Sequence, residues 1–204
     1  MEGLFELLNK GGLAMYPLLF LSLLSWAVIV ERLLNMRGSS YLGRSLKDIK
    51  PLLASGDIEG AIKLLSTDNS QVAVFLRELL QKHSEKKFSW EELTKRVDFE
   101  LSLIVPKLEK NLALLSTVAS VAPLIGLFGT ITGLIKVFSA FSHANPETAI
   151  VLLSQGISEA LVSAATGLAV AIPALLAYWL FRIWGNSIID RLEGELFEVL
   201  RVLQ

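Results

Sequence analysis

Three long apolar stretches alternate with charged regions along this 204-residue chain. The first stretch runs from Gly12 to Val30 without a charged residue and ends at Glu31. At about 1.5 Å per residue, a helix of that length covers most of the roughly 30 Å hydrocarbon core of a bilayer. The second and third stretches are centred on Ala122–Phe138 and Gly156–Ala174. The pattern predicts an all-α membrane protein with three transmembrane helices.

The charged region between the first two spans has the pattern of amphipathic helices. Ser89 and Glu92 fit a capping box, in which the two residues satisfy each other's free backbone N–H groups. The helix that follows carries an apolar stripe. Pro106 interrupts the pattern, and we expect a bend there without a stop, because helical spacing resumes at once. The second membrane helix is therefore predicted to continue from a cytoplasmic shaft that begins near Trp90, and the third to extend into the same helical domain.

The distribution of basic residues predicts the orientation. Lys and Arg are frequent after the first span and recur in the C-terminal tail, whereas the loop between spans two and three has none. The positive-inside rule then places the N-terminus outside and the C-terminus in the cytoplasm. The predicted segments are an interfacial segment (1–11), the first span (12–33), a cytoplasmic helical domain (34–105), the second span (106–140), a periplasmic loop (141–149), the third span (150–183) and a cytoplasmic C-terminal helix (184–204).

Composition argues against several classes of function. The formal net charge is −1 and no Lys/Arg stripe appears, which gives no sign of nucleic-acid binding. The absence of cysteine excludes disulfides, thiolate nucleophiles and cysteine-based metal sites. The two histidines, His83 and His143, lie far apart without partners at metal-ligand spacing. We therefore expect no enzymatic activity, no metal site and no cofactor.

Small and polar residues share one side of the second span. A helix turns by about 100° per residue, which brings Gly126, Gly129, Thr130 and Gly133 together. Small residues of this kind let a neighbouring helix or a file of water approach closely. The prolines of the shaft and the spans are predicted to kink their helices, because each removes a backbone hydrogen bond. They are Pro106, Pro123 and Pro173.

The third span carries a carboxyl group and two hydroxyls within a narrow arc, at Glu159, Ser163 and Thr166. A carboxyl group in a membrane helix is costly when it faces lipid, so Glu159 should face protein or water. Two roles fit it equally: the lining of an ion path, or a hydrogen-bonded lock between helices. The threonines have the alternative of bonding to a carbonyl one turn back. Lys136 is expected to reach the nearer interface.

The sequences of Asn111–Phe138 and Gly156–Trp179 resemble the MotA/TolQ/ExbB family of ion-channel subunits, and Gly11–Arg37 is similar to that family's first span. Three spans with a modest cytoplasmic domain resemble the ExbB/TolQ branch, since the flagellar stator branch has four. The resemblance implies a homo-oligomeric ring, generally a pentamer, in the bacterial inner membrane. It also implies that the ring surrounds an ExbD/TolR-like single-span partner whose Asp carries the proton, and that a TonB- or TolA-like protein passes the work to the outer membrane.

The resemblance also implies roles for individual residues. Thr130 matches the family's pore threonine on the second span, and Glu159 matches its glutamate on the third. Pro123 and Pro173 match its prolines. No Asp lies in any span of this chain, which agrees with a proton carrier that belongs to the partner. The rival hypotheses are a MotA-like flagellar stator subunit and a structural membrane scaffold that does not conduct.

One position departs from the family's pattern. The pore hydroxyl of the third span commonly lies five residues after the glutamate, and this chain has Ala164 there. Ser163 and Thr166 are near in sequence but point about 100° and 200° away from it on an ideal helix. The departure leaves three alternatives open: an altered proton route, a route through water, or a different ion. Ser163 and Thr166 are retained as ion-path candidates.

Overall fold

The computed structural model describes residues 11–35, 45–85, 88–141 and 146–202. Within these ranges the chain is almost entirely helical and contains no β-strand, which confirms the all-α prediction. The predicted interfacial segment, apart from Gly11, and part of the predicted periplasmic loop lie outside the described residues. The helices are α1 (Met15–Asn35), α2 (Ser45–Ala54), α3 (Ile58–Leu65), α4 (Gln71–Glu85), α5 (Trp90–Glu109), α6 (Leu112–Phe141) and α7 (Pro146–Val202).

Three of these helices are long and apolar enough to cross a bilayer, as the hydropathy pattern predicts. The qualifying stretches are Met15–Leu34, Leu112–Ser139 and a stretch within Thr148–Val202. Their residues up to Arg32 and within Asn111–Phe181 belong to one compact unit, called here the membrane unit. Leu18 of α1, Ala122 of α6 and Ala171 of α7 form a small buried cluster in it.

The membrane unit exposes large apolar side chains on its outside, as a protein in contact with lipid requires. Examples from the three helices are Phe20, Leu124, Phe128, Leu161 and Leu168, each more than half exposed. In water these side chains would carry a large unfavourable hydration free energy. The exposed apolar surface and the buried small-residue cluster together indicate that lipid takes the place of water around this unit.

The second span does not continue from α5, so the predicted continuous shaft is wrong, although the helix passes Pro106 without a stop, as expected. Pro106 lies inside α5, which ends at Glu109, and α6 begins at Leu112. Between them Asn111 adopts a positive φ of 63°, which asparagine tolerates better than most residues. The Asn111 side chain donates a hydrogen bond of 2.7 Å to Glu31 at the end of the first span. A left-handed asparagine, not the proline, therefore separates the two helices.

The third span continues without a helix boundary into the predicted C-terminal helix. α7 runs for 57 residues, and the division between compact units falls inside it, between Phe181 and Arg182. Pro173 lies within α7 and Pro123 within α6, and both helices continue beyond their proline.

The second compact unit, called here the helical unit, comprises the described residues from Leu33 to Lys110 and from Arg182 onwards. The predicted capping box is confirmed: the Ser89 N–H donates to Glu92 at 2.9 Å, and the Glu92 N–H donates to the Ser89 hydroxyl at 3.3 Å. Hydrogen bonds from the Ser89 N–H and then from its hydroxyl to the Glu92 carboxylate lower the pKa of Glu92, because they stabilise its ionised form. The predicted apolar stripe of α5 is buried at Leu93, Val97, Leu101 and Ile104.

The end of α7 is joined to α2 by a charged cluster. Lys50 pairs with Glu195 at 2.6 Å and also contacts Glu198. Hydrogen bonds that the Lys50 ammonium donates to Glu195 and Glu198 raise the pKa of Lys50, so its contribution to stability is present at neutral pH. On the alkaline side it is lost as the pH rises through this raised value, above the ordinary lysine pKa of about 10.4.

We expect Lys50→Met to lower the free energy of unfolding of the helical unit by about 1 kcal/mol, since all three groups are partly solvated. Lys82→Met is the control, because the Lys82–Glu78 pair joins two exposed residues one turn apart on α4. Its expected cost is about 0.3 kcal/mol. Thermal unfolding at low and high salt measures both, and equal effects of the two substitutions would contradict the assignment.

Candidate ion path between the membrane helices

The second and third spans touch backbone to backbone. A Cβ atom on Gly167 of α7 would lie 2.8 Å from the Ala122 carbonyl oxygen and 3.0 Å from the Gly126 Cα. A Cβ atom on Gly126 would lie 3.0 Å from the Ser163 carbonyl oxygen. Real Cβ atoms essentially never lie closer than 3.0 Å to such atoms, so only glycine fits at position 167 without a shift, and the contact at Gly126 is tighter than nine in ten real Cβ contacts. This is the close approach that small residues allow in membrane helices.

The same contact extends along both helices past Gly133. A Cβ atom on Gly133 would lie 3.2 Å from the Gly156 carbonyl oxygen, and one on Gly156 would overlap Val137. The predicted glycine face of the second span thus lies against the third span, over the length from Ala122 to Val137. These contacts fix which residues of α6 and α7 meet, and so fix the polar groups between them.

Thr130 lies in this contact and bonds to both helices. Its hydroxyl is placed 3.1 Å from the Gly126 carbonyl oxygen, one turn back on α6, and 3.1 Å from the Ala160 carbonyl oxygen on α7. The side chain is half-buried. A hydroxyl has one hydrogen and two acceptor sites, so the two carbonyls share or alternately accept that hydrogen, and the lone pairs of Thr130 can accept from water.

Ser163 is fully buried and bonds to the second span. Its hydroxyl donates to the Gly126 carbonyl oxygen at 3.3 Å. A Cβ atom on Gly129 would lie 1.9 Å from the Ser163 Oγ and 2.8 Å from the Cβ of Ala14, the residue before α1. The Ser163 hydroxyl therefore occupies space that the lack of a side chain at Gly129 leaves between α6 and α7.

Thr166 and Ala164 differ in what they contact. The Thr166 hydroxyl donates at 2.8 Å to the Val162 carbonyl oxygen, one turn back on its own helix. The Cα of Ala164 lies 3.3 Å from the position of a Cβ on Gly126, so Ala164 packs against the second span. Where the family resemblance implies a hydroxyl, this chain therefore places a methyl group near the glycine contact.

Glu159 forms an ion pair across the two spans. The Lys136 ammonium on α6 lies 2.6 Å from the Glu159 Oε1, with the carboxylate side chain 21% exposed and the lysine side chain 60% exposed. Lys136 is expected to reach the interface, and the structure gives it a specific ion-pair partner as well, Glu159. A sequence signal existed: Lys136 and Glu159 are the only charged residues within Ala122–Phe138 and Gly156–Ala174. Opposite lone charges in two packed spans favour pairing.

The site offers proton and cation chemistry at one carboxylate and several hydroxyl oxygens. Among the residues that the structure describes, no three His, Asp or Glu side chains are grouped closely enough to hold a metal ion. Glu159 is the carboxylate within the packed part of the second and third spans. The arrangement resembles the lining of an ion path or a set of polar locks between helices, and geometry alone permits both.

Comparison with known proteins decides the family. A model of the MotA/TolQ/ExbB proton channel family matches residues 67–194, which is more than half of the chain. This chain belongs to the MotA/TolQ/ExbB proton channel family. The match includes the packed parts of the second and third spans, with Thr130, Lys136 and Glu159.

Individual members of the family agree with this assignment. The Tol-Pal system protein TolQ of Haemophilus influenzae is 31% identical over 79% of this chain and 74% of its own length. A putative biopolymer transport protein, ExbB-like 3 of Synechocystis, is 35% identical over 84% of this chain and 81% of its own. The biopolymer transport protein ExbB of Pseudomonas putida is 26% identical over 83% and 52%. The resemblance to the ExbB/TolQ branch is confirmed.

Proposed function

We propose that this chain is the multi-span subunit of an ion-driven complex of the ExbB/TolQ type. Several copies surround the single transmembrane helices of a partner, and proton flow across the inner membrane drives movement that does work on the outer membrane. The observation that carries the proposal is the family match over residues 67–194, which contains both helices with the polar groups. The role involves no covalent chemistry, so the chain is not an enzyme, and its only ligand is the transported ion.

The ion path in this proposal follows the polar face of the packed spans. Glu159 supports it, because the carboxylate is partly exposed and lies at bilayer depth. Thr130 supports it through the acceptor sites that its two carbonyl bonds leave free. Ser163 and Thr166 extend the same face of α7, with Ser163 as a buried contact to the second span and Thr166 partly exposed.

The proposed partners follow from what the spans lack. No Asp lies in any of the three, so an ExbD/TolR-like single-span protein would supply the titrating carboxylate. A homopentameric ring around that partner, with a TonB- or TolA-like protein to receive the work, completes the proposed complex. The distribution of Lys and Arg supports a periplasmic N-terminus and a cytoplasmic C-terminus.

Co-purification tests the assembly. The chain, expressed with the single-span protein encoded beside it, is expected to elute as one complex whose native mass gives five copies of this chain. Replacement of the partner's membrane Asp by Asn should leave that mass unchanged. A monomer in the presence of the partner, or a ring that never retains a single-span protein, would contradict the proposal.

A structural scaffold without conduction is the second candidate, and one observation favours it. Thr130 and Ser163 both donate to backbone carbonyls across the helix contact, which is what a lock between helices requires. The relatives named TolQ and ExbB favour the channel over this candidate and over a flagellar stator.

Glu159→Ala separates channel and scaffold. We expect the variant to assemble with near-native mass while proton flux per complex falls at least tenfold, because a path residue acts on transport and not on assembly. Mass and flux are measured on the same preparation. Loss of assembly in proportion to loss of flux would support the scaffold.

A further inference from the structure

The Lys136–Glu159 pair joins more than two helices. The Gly12 backbone, three residues before α1 begins, lies against the same carboxylate: a Cβ atom there would be 2.0 Å from the Glu159 Oε1. A Cβ atom on the neighbouring Gly11 would lie 3.2 Å from the Val162 Cγ1. The start of the first span thus passes directly over the turn of α7 that carries Glu159.

Gly12 is required for two independent reasons. Its φ of 69° lies in the left-handed region, where residues with a side chain are strained. A side chain would also displace the Glu159 carboxylate, which occupies the space beside the Gly12 Cα. The same carboxylate oxygen, Oε1, therefore lies beside the Gly12 backbone and pairs with the Lys136 ammonium.

The positive charge of Lys136 offsets the negative charge of Glu159 within the packed spans. A carboxylate at membrane depth is costly without a counter-charge, and an ammonium on the facing helix at 2.6 Å supplies one. Lys136 is also the more exposed partner, so its ammonium can leave toward water and release the Glu159 carboxylate. The pair can open by movement of the lysine alone.

From this geometry we infer that Lys136 is a positioning residue for Glu159, whose ammonium holds the carboxylate against Gly12 and on which ion passage depends. The inference rests on the proposed function for its transport part only. The ammonium acts through its charge and its length, because it must reach across from α6 to pair with the oxygen that lies beside Gly12. A neutral side chain of the same size should therefore fail to replace it.

The absence of cysteine from this chain allows a direct test. Lys136→Cys is reconstituted in liposomes with a cysteine-free version of the single-span partner, and proton flux per assembled complex is measured. We expect a loss of at least tenfold. Aminoethyl methanethiosulfonate, which adds an ammonium at nearly the length of lysine, should return flux to within threefold of the unmodified wild type.

The control reagent is propyl methanethiosulfonate, which adds a neutral chain of similar size and should not restore flux. Wild-type protein offers neither reagent a thiol. Lys136→Arg should retain flux within threefold, since it keeps the charge. Equal restoration by the neutral reagent, native flux in unmodified Lys136→Cys, or no restoration by the ammonium reagent after complete labelling would overturn the inference.

A second measurement does not depend on transport. Thermal midpoints of Lys136→Met, Glu159→Gln and the double variant form a cycle in the purified chain. We expect the double variant to lose less than the sum of the single losses, because each single variant leaves the other charged side chain without its counter-charge. Additive losses would overturn the inference that the Lys136 and Glu159 side chains interact. Absence of flux in the wild-type complex, with non-additive midpoints, would instead count against the proposed function alone.

Discussion

Gly167→Val is expected to prevent stable packing of the second span on the third. The valine side chain would enter a space already occupied by the Ala122 carbonyl oxygen and the Gly126 Cα, which lie 2.8 and 3.0 Å from the position of its first carbon. Neither obstacle is a flexible side chain, so the helices themselves must separate. Overpacking in well-packed interiors costs about 1–3 kcal/mol, and a backbone obstacle belongs at or beyond the top of that range.

The same helix supplies a control for this prediction. Gly194 lies in α7 with no atom within 4 Å of the position of an added Cβ. Gly194→Ala is therefore expected to be neutral or to stabilise by up to about 1 kcal/mol, through helix propensity alone. Thermal unfolding in detergent, with Gly167→Ala as the smaller change at the contact, measures the difference. Equal midpoints for Gly167→Ala and Gly194→Ala would contradict the glycine contact.

Thr130→Val is expected to lower proton flux at least tenfold while the complex still assembles. Valine keeps the shape of threonine but removes the hydroxyl that lies between the Gly126 and Ala160 carbonyls. The stability cost should be about 1 kcal/mol, because the Gly126 carbonyl oxygen still accepts from Ser163. A large effect on flux with a small effect on stability is the signature of a path residue.

Thr132→Val is the control for Thr130. The Thr132 hydroxyl donates at 3.0 Å to the Gly129 carbonyl oxygen on its own helix. We expect this variant to retain native flux and nearly native stability, since Thr132 is a local contact. If both threonine variants reduce flux equally, the hydroxyl of Thr130 has no special part in transport.

The three spans and the capping box could be predicted because each depends on local sequence. A run of about 20 apolar residues has few alternatives to a membrane helix. Ser89 and Glu92 act on each other's backbone N–H groups within one turn, so their spacing alone predicts the contact. Features of this kind need no knowledge of what packs against them.

The separation of α5 from α6 was harder to predict. Pro106 is the stronger local signal, yet the helix continues past it, and the chain breaks at Asn111. The Asn111 side chain bonds to Glu31, which is 80 residues away in sequence. This tertiary contact therefore favours the left-handed conformation of Asn111. The sequence around Lys110 and Asn111 alone does not predict the contact with Glu31.

The candidate site likewise combines features that the local sequence predicts with features that depend on tertiary packing. Periodicity placed Gly126, Gly129, Thr130 and Gly133 on one face, but which atoms of α7 meet them depends on the register between two helices. The Lys136–Glu159 pair joins residues 23 positions apart on different helices. A hydropathy profile shows Lys136 and Glu159 only as single charged residues, each within its own apolar span. Only the register, set by the glycine contacts, brings the two charges together.

Proton uptake by liposomes tests the central claim most directly. The chain and its single-span partner are reconstituted together, and uptake is followed under an imposed membrane potential. The account predicts uptake at least tenfold above that of protein-free liposomes, and its loss in Thr130→Val complexes of native mass. Uptake no faster than in protein-free liposomes by a correctly assembled complex, or uptake unaffected by Thr130→Val, would contradict it.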